Sequence, residues 1–227
     1  MNQPSQYPEL AANPWFSTLD DEIRLALIAQ SQVLNLQRGN AVWHRSDRSN
    51  GLYCLLDGAV QVSATSWSGR ELLLNVVYPV NWFGEVSMLD EGGRTHEVFA
   101  TSDSRLLHVP RARLELICAK HPLLWRALAR LMAGKLRAAY ANLEEVCLLP
   151  AVPRLASRLL ALMQQNADRQ SPARIALSQE ELAMMLSLSR QTINKALGEL
   201  ESAGAIVARY GTIEVRDEAL LRQLAQA

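Results

Sequence analysis

The chain reads as an α+β protein built in three successive pieces: an N-terminal β-roll, one long helix, and a C-terminal winged helix-turn-helix. Three observations predict this. Short strand-like runs broken by turn signals crowd between Leu36 and about Val109. An apolar seam with a period of about 3.5 residues runs through the segment after His121-Pro122. Finally, SQEELAMMLSLSRQTINKALGELE (Ser178 to Glu201) has the spacing of two short helices across a tight turn. The expected boundaries are 1–120, 121–149 and 150–227.

Taken in order, STLDDEIRLALIAQS predicts an amphipathic helix capped at Ser17 or Thr18. LYCLLDGAVQVSA, ELLLNVVYPV and RLLHVP then read as strands, separated by turn signals at Asp57-Gly58, Ser68-Gly69 and Pro79-Val80-Asn81. Several short strands at regular spacing predict a closed or jelly-roll arrangement. After His121-Pro122 the helix should run to about Leu149, ~40 Å at about 1.5 Å per residue. Trp125, Ala129, Met132, Leu136, Ala139, Leu143 and Val146 alternate at four and three along it, the seam of a parallel pairing of two copies. Leu124, Leu128 and Leu131 lie to one side and should pack on the roll. Pro150 and Pro153 punctuate the chain before the C-terminal piece.

In that piece Leu182, Met185 and Leu186 give the first short helix its buried face, and Ile193, Ala196, Leu197 and Leu200 do so for the second. Ser178 with Glu181 forms a capping box, Ser189 caps the second helix, and small Ala183 permits a close crossing. Arg190, Gln191, Asn194 and Lys195 then share the outward face at the N-terminal end of the second helix. These side chains suit base edges and phosphates, and this is the end such motifs place in the major groove. Gly204 closes the helix, and AIVARYGTIEV predicts a hairpin around Tyr210-Gly211, which makes a wing. The bland alternative is an ordinary helical hairpin, which would not need four polar side chains gathered at one end. DNA binding is therefore the expected activity. Ser189 and Arg209 join the candidate contacts, and Arg154 and Arg158 are further candidates for a local cationic face.

The composition narrows the class. Lys and Arg number 23 against 23 for Asp and Glu, so a bulk nucleic-acid coat is excluded while a locally cationic reader is not. The 49% apolar content supplies a packed core, yet no run approaches the ~20 residues of a membrane span. The start MNQPSQYPEL has neither the basic flank nor the apolar stretch of a signal peptide. Cys54, Cys118 and Cys147 form no pair or cluster and read as buried thiols in a reducing compartment, so a cytoplasmic protein is expected. His44, His96, His108 and His121 are scattered, which predicts no metal site and argues against a cupin-type metalloenzyme, the remote alternative. Neither a P-loop nor a nucleophile elbow is present, and the expectation is that the chain is not an enzyme.

A roll, a long helix and a winged reading head in this order resemble the Crp/Fnr family of bacterial transcription regulators. The resemblance runs from about Trp15 to Val215. It is carried by DGAVQV, by the cassette WFGEVSMLDEGGRTHEVFA and by SRQTINKALGELE. It implies a cyclic-nucleotide-binding type of roll, with Gly84, Glu85, Arg94 and Thr95 at the family's phosphate and ribose positions. The residue types suit such a ligand, because a guanidinium and a hydroxyl donate to phosphate and a carboxylate accepts from a ribose hydroxyl. The implied effector is a cyclic nucleotide, cyclic AMP or another. The implied partners are double-stranded promoter DNA, a second copy of the chain, and RNA polymerase.

The chain departs from the cyclic-AMP-binding pattern in three places. The Glu85-to-Arg94 interval is one residue shorter, His96 replaces a small residue, and Ala139 and Tyr140 stand where Thr and Ser meet the adenine. Tyr140 is kept as a candidate contact. Two further readings stay open at this point. One is a structural Arg94–Glu85 ion pair in a regulator without an effector, and the other is a family member that senses haem or another signal.

Overall fold

The computed structural model describes residues 7–69, 71–165, 174–209 and 211–226. They form two compact units, one of Met1–Ala64 and Asn75–Arg137, the other of Thr65–Leu74 and Ala138–Ala227.

The roll lies in the first unit, apart from Thr65 of β4 and the Glu71–Leu74 part of β5, which group with the second. Its strands are β1 (Gln32–Leu36), β2 (Ala41–Trp43), β3 (Gly51–Asp57), β4 (Val60–Thr65), β5 (Glu71–Val77), β6 (Trp82–Phe83), β7 (Glu97–Ala100) and β8 (Ser104–Pro110). They assemble as two four-stranded sheets, β1-β8-β3-β6 and β2-β7-β4-β5. β3 explains why LYCLL reads as a continuous apolar run, because both of its faces are covered. Leu52, Cys54 and Leu56 join one core, and Tyr53 and Leu55 join the other, with Trp43, Val60, Val98 and Leu106. Alternation is present, but each face meets a core instead of water.

Helices close the first of those cores. α1 (Pro14–Ser17) and α2 (Asp21–Ala29) precede the strands, the single turn α3 (Val86–Leu89) sits in the cassette, and α4 (Arg111–Lys120) leads to α5 (Leu123–Leu148). The cap expected at Ser17 or Thr18 is corrected. Both residues end α1, donating their hydroxyls back to Pro14 O and Trp15 O, and Asp20 is the residue before α2. Leu124 and Leu128 of α5 are fully buried in the core, with Leu131 packed against it. Each such leucine contributes about 1.5–3 kcal/mol. Trp15 ties α1 to the same helix, donating Nε1–H to Ala127 O at 2.7 Å.

The second unit begins with the last turns of α5 and continues with α6 (Ala151–Gln165), where Pro153 lies in the tolerant first turn. β9 (Arg174–Ile175), α7 (Gln179–Leu186), α8 (Arg190–Ser202), β10 (Ile206–Arg209), β11 (Thr212–Val215) and α9 (Glu218–Leu224) complete it. The wing sheet runs β10-β11-β9, one strand more than the expected hairpin. Of the expected Tyr210-Gly211 turn, Tyr210 lies outside the described residues. The last helix adds to the expected architecture, and Asp217 caps it by accepting from Leu220 N–H at 2.9 Å.

Candidate nucleic-acid interface and effector cassette

Local hydrogen bonds set the reading head. Ser178 Oγ accepts from Glu181 N–H, and the Glu181 carboxylate accepts from Ser178 N–H, completing the capping box. The turn after α7 passes through Ser187 at φ 54°, a left-handed conformation that reverses the chain before Ser189. Ser189 Oγ accepts from Thr192 N–H at 3.1 Å and shares a 2.8 Å bond with Thr192 Oγ1, so its hydroxyl is committed to the cap. At the far end Gly204, at φ +83°, takes the position after the C-cap. Its N–H reaches Glu201 O and that of Ala205 reaches Leu200 O, the two bonds of a Schellman ending.

These caps fix which face of α8 is free. Ile193, Ala196, Leu197 and Leu200 are buried, while Arg190, Gln191, Asn194 and Lys195 lie together on the opposite side, Gln191, Asn194 and Lys195 flanking Arg190 at the start of the helix. Arg209 is exposed at the end of β10. The other two arginines do not join this face. Arg158 is buried beside Glu145, and Arg154 donates from Nε and Nη2 to Leu149 O and from Nη1 to Leu186 O. Burial lowers the pKa of Arg158 and the Glu145 carboxylate opposes that shift.

The cassette is arranged differently. Gly84 turns at φ +97°, and a Cβ there would stand 3.0 Å from Arg94 Nη1 and 3.1 Å from Gly51 O, so glycine is needed for the close approach. Arg94 is only 3% exposed. Its Nη1 donates to Gly84 O at 2.9 Å, and its Nη2 donates to Asn50 Oδ1 at 2.6 Å and Gly51 O at 2.9 Å. Glu85, 1% exposed, pairs with Lys135 of α5 at 2.7 Å. That corrects the structural Arg94–Glu85 pair, since the carboxylate's partner is a lysine fifty residues away. Thr95 is exposed, and its hydroxyl shares a 2.9 Å bond with His96 Nδ1. Burial holds the His96 imidazole below its ordinary range, with Arg45 adding to the effect.

Gly84, Glu85 and Arg94 are thus brought together with Thr95 at the margin. Tyr140 is exposed on the part of α5 that belongs to the second unit. Along the seam Trp125, Leu136 and Leu143 are exposed at 38%, 49% and 58%, Ala139 is exposed, and Met132 and Val146 are half-buried. Sequence reading alone does not find Trp43, Asn50, Gly51 and Lys135. Nothing local marks them, because Trp43, Asn50 and Gly51 come from other parts of the roll and Lys135 from α5.

One feature shows that the cassette fits an anionic ligand. Arg94 Nε is buried without a hydrogen-bond partner, and among the described residues no carboxylate lies within salt-bridge distance of this guanidinium. Burial lowers its pKa, while Tyr53, Glu85 and Asp47 oppose the shift from further away. A buried cation with a spare donor and no carboxylate in salt-bridge contact suits a phosphate oxygen. Among the described residues no group of three or more His, Cys, Asp or Glu side chains could hold a metal ion. None of the described helices is long and apolar enough to cross a membrane.

A roll with a buried, uncompensated arginine, followed by a capped helix pair with one polar face, defines a DNA-binding transcription regulator with a small-molecule-sensing fold. Residues 33–121 match the cyclic nucleotide-binding domain and residues 153–224 the Crp-like helix-turn-helix domain. The chain is 32% identical over 217 residues to the cyclic AMP receptor protein of Thermus thermophilus, covering 95% of this chain and 98% of that one. It is 29% identical over 214 residues to the CRP-like cAMP-activated global transcriptional regulator of Mycobacterium tuberculosis, covering 93% and 96%. In fold it is similar to FixK2 from Bradyrhizobium japonicum, with a TM-score of 0.78 at 22% identity over 87% of this chain and 98% of that one. The chain belongs to the Crp/Fnr family of transcription regulators.

Proposed function

We propose that the chain acts as a cytoplasmic homodimer that reads a palindromic promoter site under the control of a cyclic nucleotide held in the roll. Residues 1–120 form the sensor, 121–149 the dimerisation helix and 150–227 the reader. The observation that carries the effector reading is the buried Arg94 guanidinium without a carboxylate partner. Two relatives named for cyclic AMP support the ligand class. Arg94 and Thr95 hold the phosphate, Gly84 lets the backbone approach, and Glu85 accepts from the ribose. When bound, the nucleotide supplies the anion that Arg94 lacks, and it shifts the population toward whichever dimer state binds it better.

The exposed apolar stripe on α5 supports dimerisation, because Trp125, Leu136 and Leu143 would otherwise face water. Met132, Ala139 and Val146 continue the seam. Arg190, Gln191, Asn194, Lys195 and Arg209 contact DNA, with Ser189 fixing the start of the recognition helix. RNA polymerase is the further partner that family membership implies. Of the three cysteines expected to be buried thiols, Cys54 and Cys118 are buried, while Cys147 is exposed near the end of α5, which corrects that expectation. Burial pushes the Cys54 thiol well up, and burial together with Glu115 pushes Cys118 up to about 12, so neither is reactive.

Sequence selection on random duplexes, with and without cyclic AMP or cyclic GMP, tests the whole reading. A two-fold symmetric motif whose affinity responds to one nucleotide is the expected result. Arg190→Ala should lose about 1–3 kcal/mol of binding and relax one position in each half-site. An asymmetric motif, or one indifferent to every cyclic nucleotide, would remove the palindrome or the effector respectively.

A further inference from the structure

Arg94 raises a physical question that the cassette alone does not answer: what holds a buried guanidinium in place when no carboxylate neutralises it? The hydrogen bonds go to two backbone carbonyls and an asparagine amide, all uncharged. The remaining contact is an aromatic face. The guanidinium carbon lies 3.9 Å from the ring centroid of Trp43, with Tyr53 further off at 5.8 Å.

Trp43 is itself held from several sides. It ends β2, opposite Val98 of β7, and its Nε1–H donates to His96 O at 2.9 Å. Its ring packs on Tyr53 at 5.2 Å and Phe83 at 5.5 Å. An indole fixed in this way is a rigid plate under the arginine. It attracts the cation through its π cloud yet carries no net charge. A carboxylate in the same place would pair with the guanidinium, cancel its field and repel an incoming anion. The plate keeps Arg94 buried and leaves its charge available.

We propose that Trp43 is the positioning residue of the effector site, holding Arg94 oriented and uncompensated for the phosphate ester of the ligand. The inference rests on the effector reading above and extends it to a residue outside the cassette. Trp43 does not touch the phosphate; it acts through Arg94. Its own hydrogen bond to His96 O couples the plate to the segment that carries Thr95, so both donors are set by one side chain.

The test is titration calorimetry with cyclic AMP, cyclic GMP and pyrophosphate on the native chain, Trp43→Phe and Trp43→Leu, with each variant's melting temperature taken without ligand. Trp43→Leu removes the π face and should weaken binding of the preferred ligand roughly tenfold. Trp43→Phe keeps a π face but loses the His96 bond, and should fall between Trp43→Leu and the native chain. A purely structural role predicts lower melting temperatures in both variants with unchanged affinity, and that result would overturn the inference while leaving the effector reading intact. If Trp43→Leu does not fold, native affinity in a folded Trp43→Phe overturns the inference equally, and graded loss there upholds it. If the native chain binds none of the three ligands, the effector reading fails and the inference falls with it.

Discussion

The reading head and the effector cassette sit in one chain but are held by contacts of opposite range. In the head, the bonds that define helix ends join residues three apart: Ser178 with Glu181, and Ser189 with Thr192. In the cassette, Arg94 reaches 43 and 44 residues back to Gly51 and Asn50, and Glu85 reaches 50 forward to Lys135. A locally capped element keeps its form wherever its apolar face finds a partner. A site tied across a whole β-roll exists only once the roll has closed, and it is lost when the roll loosens. The difference suits the division of labour, because the reader must present a fixed face to DNA and the sensor must respond.

The contrast is sharpest where the roll meets the long helix. Leu128→Ala should cost about 2–5 kcal/mol, since its neighbours from several elements cannot all collapse onto the void. The loss should appear in denaturant unfolding of the full chain. A cost under about 1 kcal/mol would show that the helix is not part of that core.

Next in size is Arg94→Leu. A cyclic nucleotide at about 100 times Kd should add ~2.7 kcal/mol of stability to the native chain, a melting shift of roughly 5–10 °C. The variant should lose that shift at a ligand-free cost of about 1–3 kcal/mol, because the acceptors on Gly84, Asn50 and Gly51 lose their donor. A ligand-free destabilisation well beyond that would mean that the hydrogen bonds to Gly84, Asn50 and Gly51 make Arg94 chiefly structural. Smaller still, Ser178→Ala should cost about 1 kcal/mol and weaken DNA binding without altering the nucleotide shift. A change in nucleotide affinity for that variant would break the separation between local and long-range sites.

The smallest expected effect is on pH. His108 stacks on Tyr53 at 4.4 Å, with Nε2 bonded to Asn50 O at 3.0 Å. Burial holds its pKa below the ordinary 6.5, and Arg94 pushes it the same way against that backbone bond. Below about pH 6.5 the unfolded chain therefore takes up the proton more readily than the folded one. Stability is fully present above that pH and is lost as pH falls through the folded value. His96 adds to the trend. Melting temperatures from about pH 5 to 8 should decline on the acid side, and His108→Gln should flatten the decline. An unchanged slope would remove His108 from the account.

Contact range also explains which features are legible in the sequence. The capping box, the Ser189 cap, the Gly204 ending and the buried face of α8 are all written within a few consecutive residues, and the structure shows each. The order of roll, long helix and winged head is legible for the same reason, since periodicity changes along the chain. The expected Ser17 or Thr18 cap is misplaced because Asn13-Pro14 starts an earlier turn, whose side-chain bond to Phe16 N–H competes for the same residues. Lys135 cannot be assigned to Glu85, nor Trp43 to Arg94, because nothing near either residue marks its distant partner. The same limit makes Arg154 and Arg158 read as surface cations when tertiary contacts occupy both.

That withdrawal of two arginines bears on how the protein searches a genome. Affinity for arbitrary sequence comes from displacing counter-ions condensed along the duplex, and the salt exponent falls by about 0.9 for each phosphate contact absent. A head whose Arg154 closes helix ends and whose Arg158 is turned toward Glu145 has fewer such contacts to offer, in a chain with no net charge to attract it. Fewer such contacts predict weak holding at random sites, and a shallow salt dependence of binding to unrelated duplexes would check it.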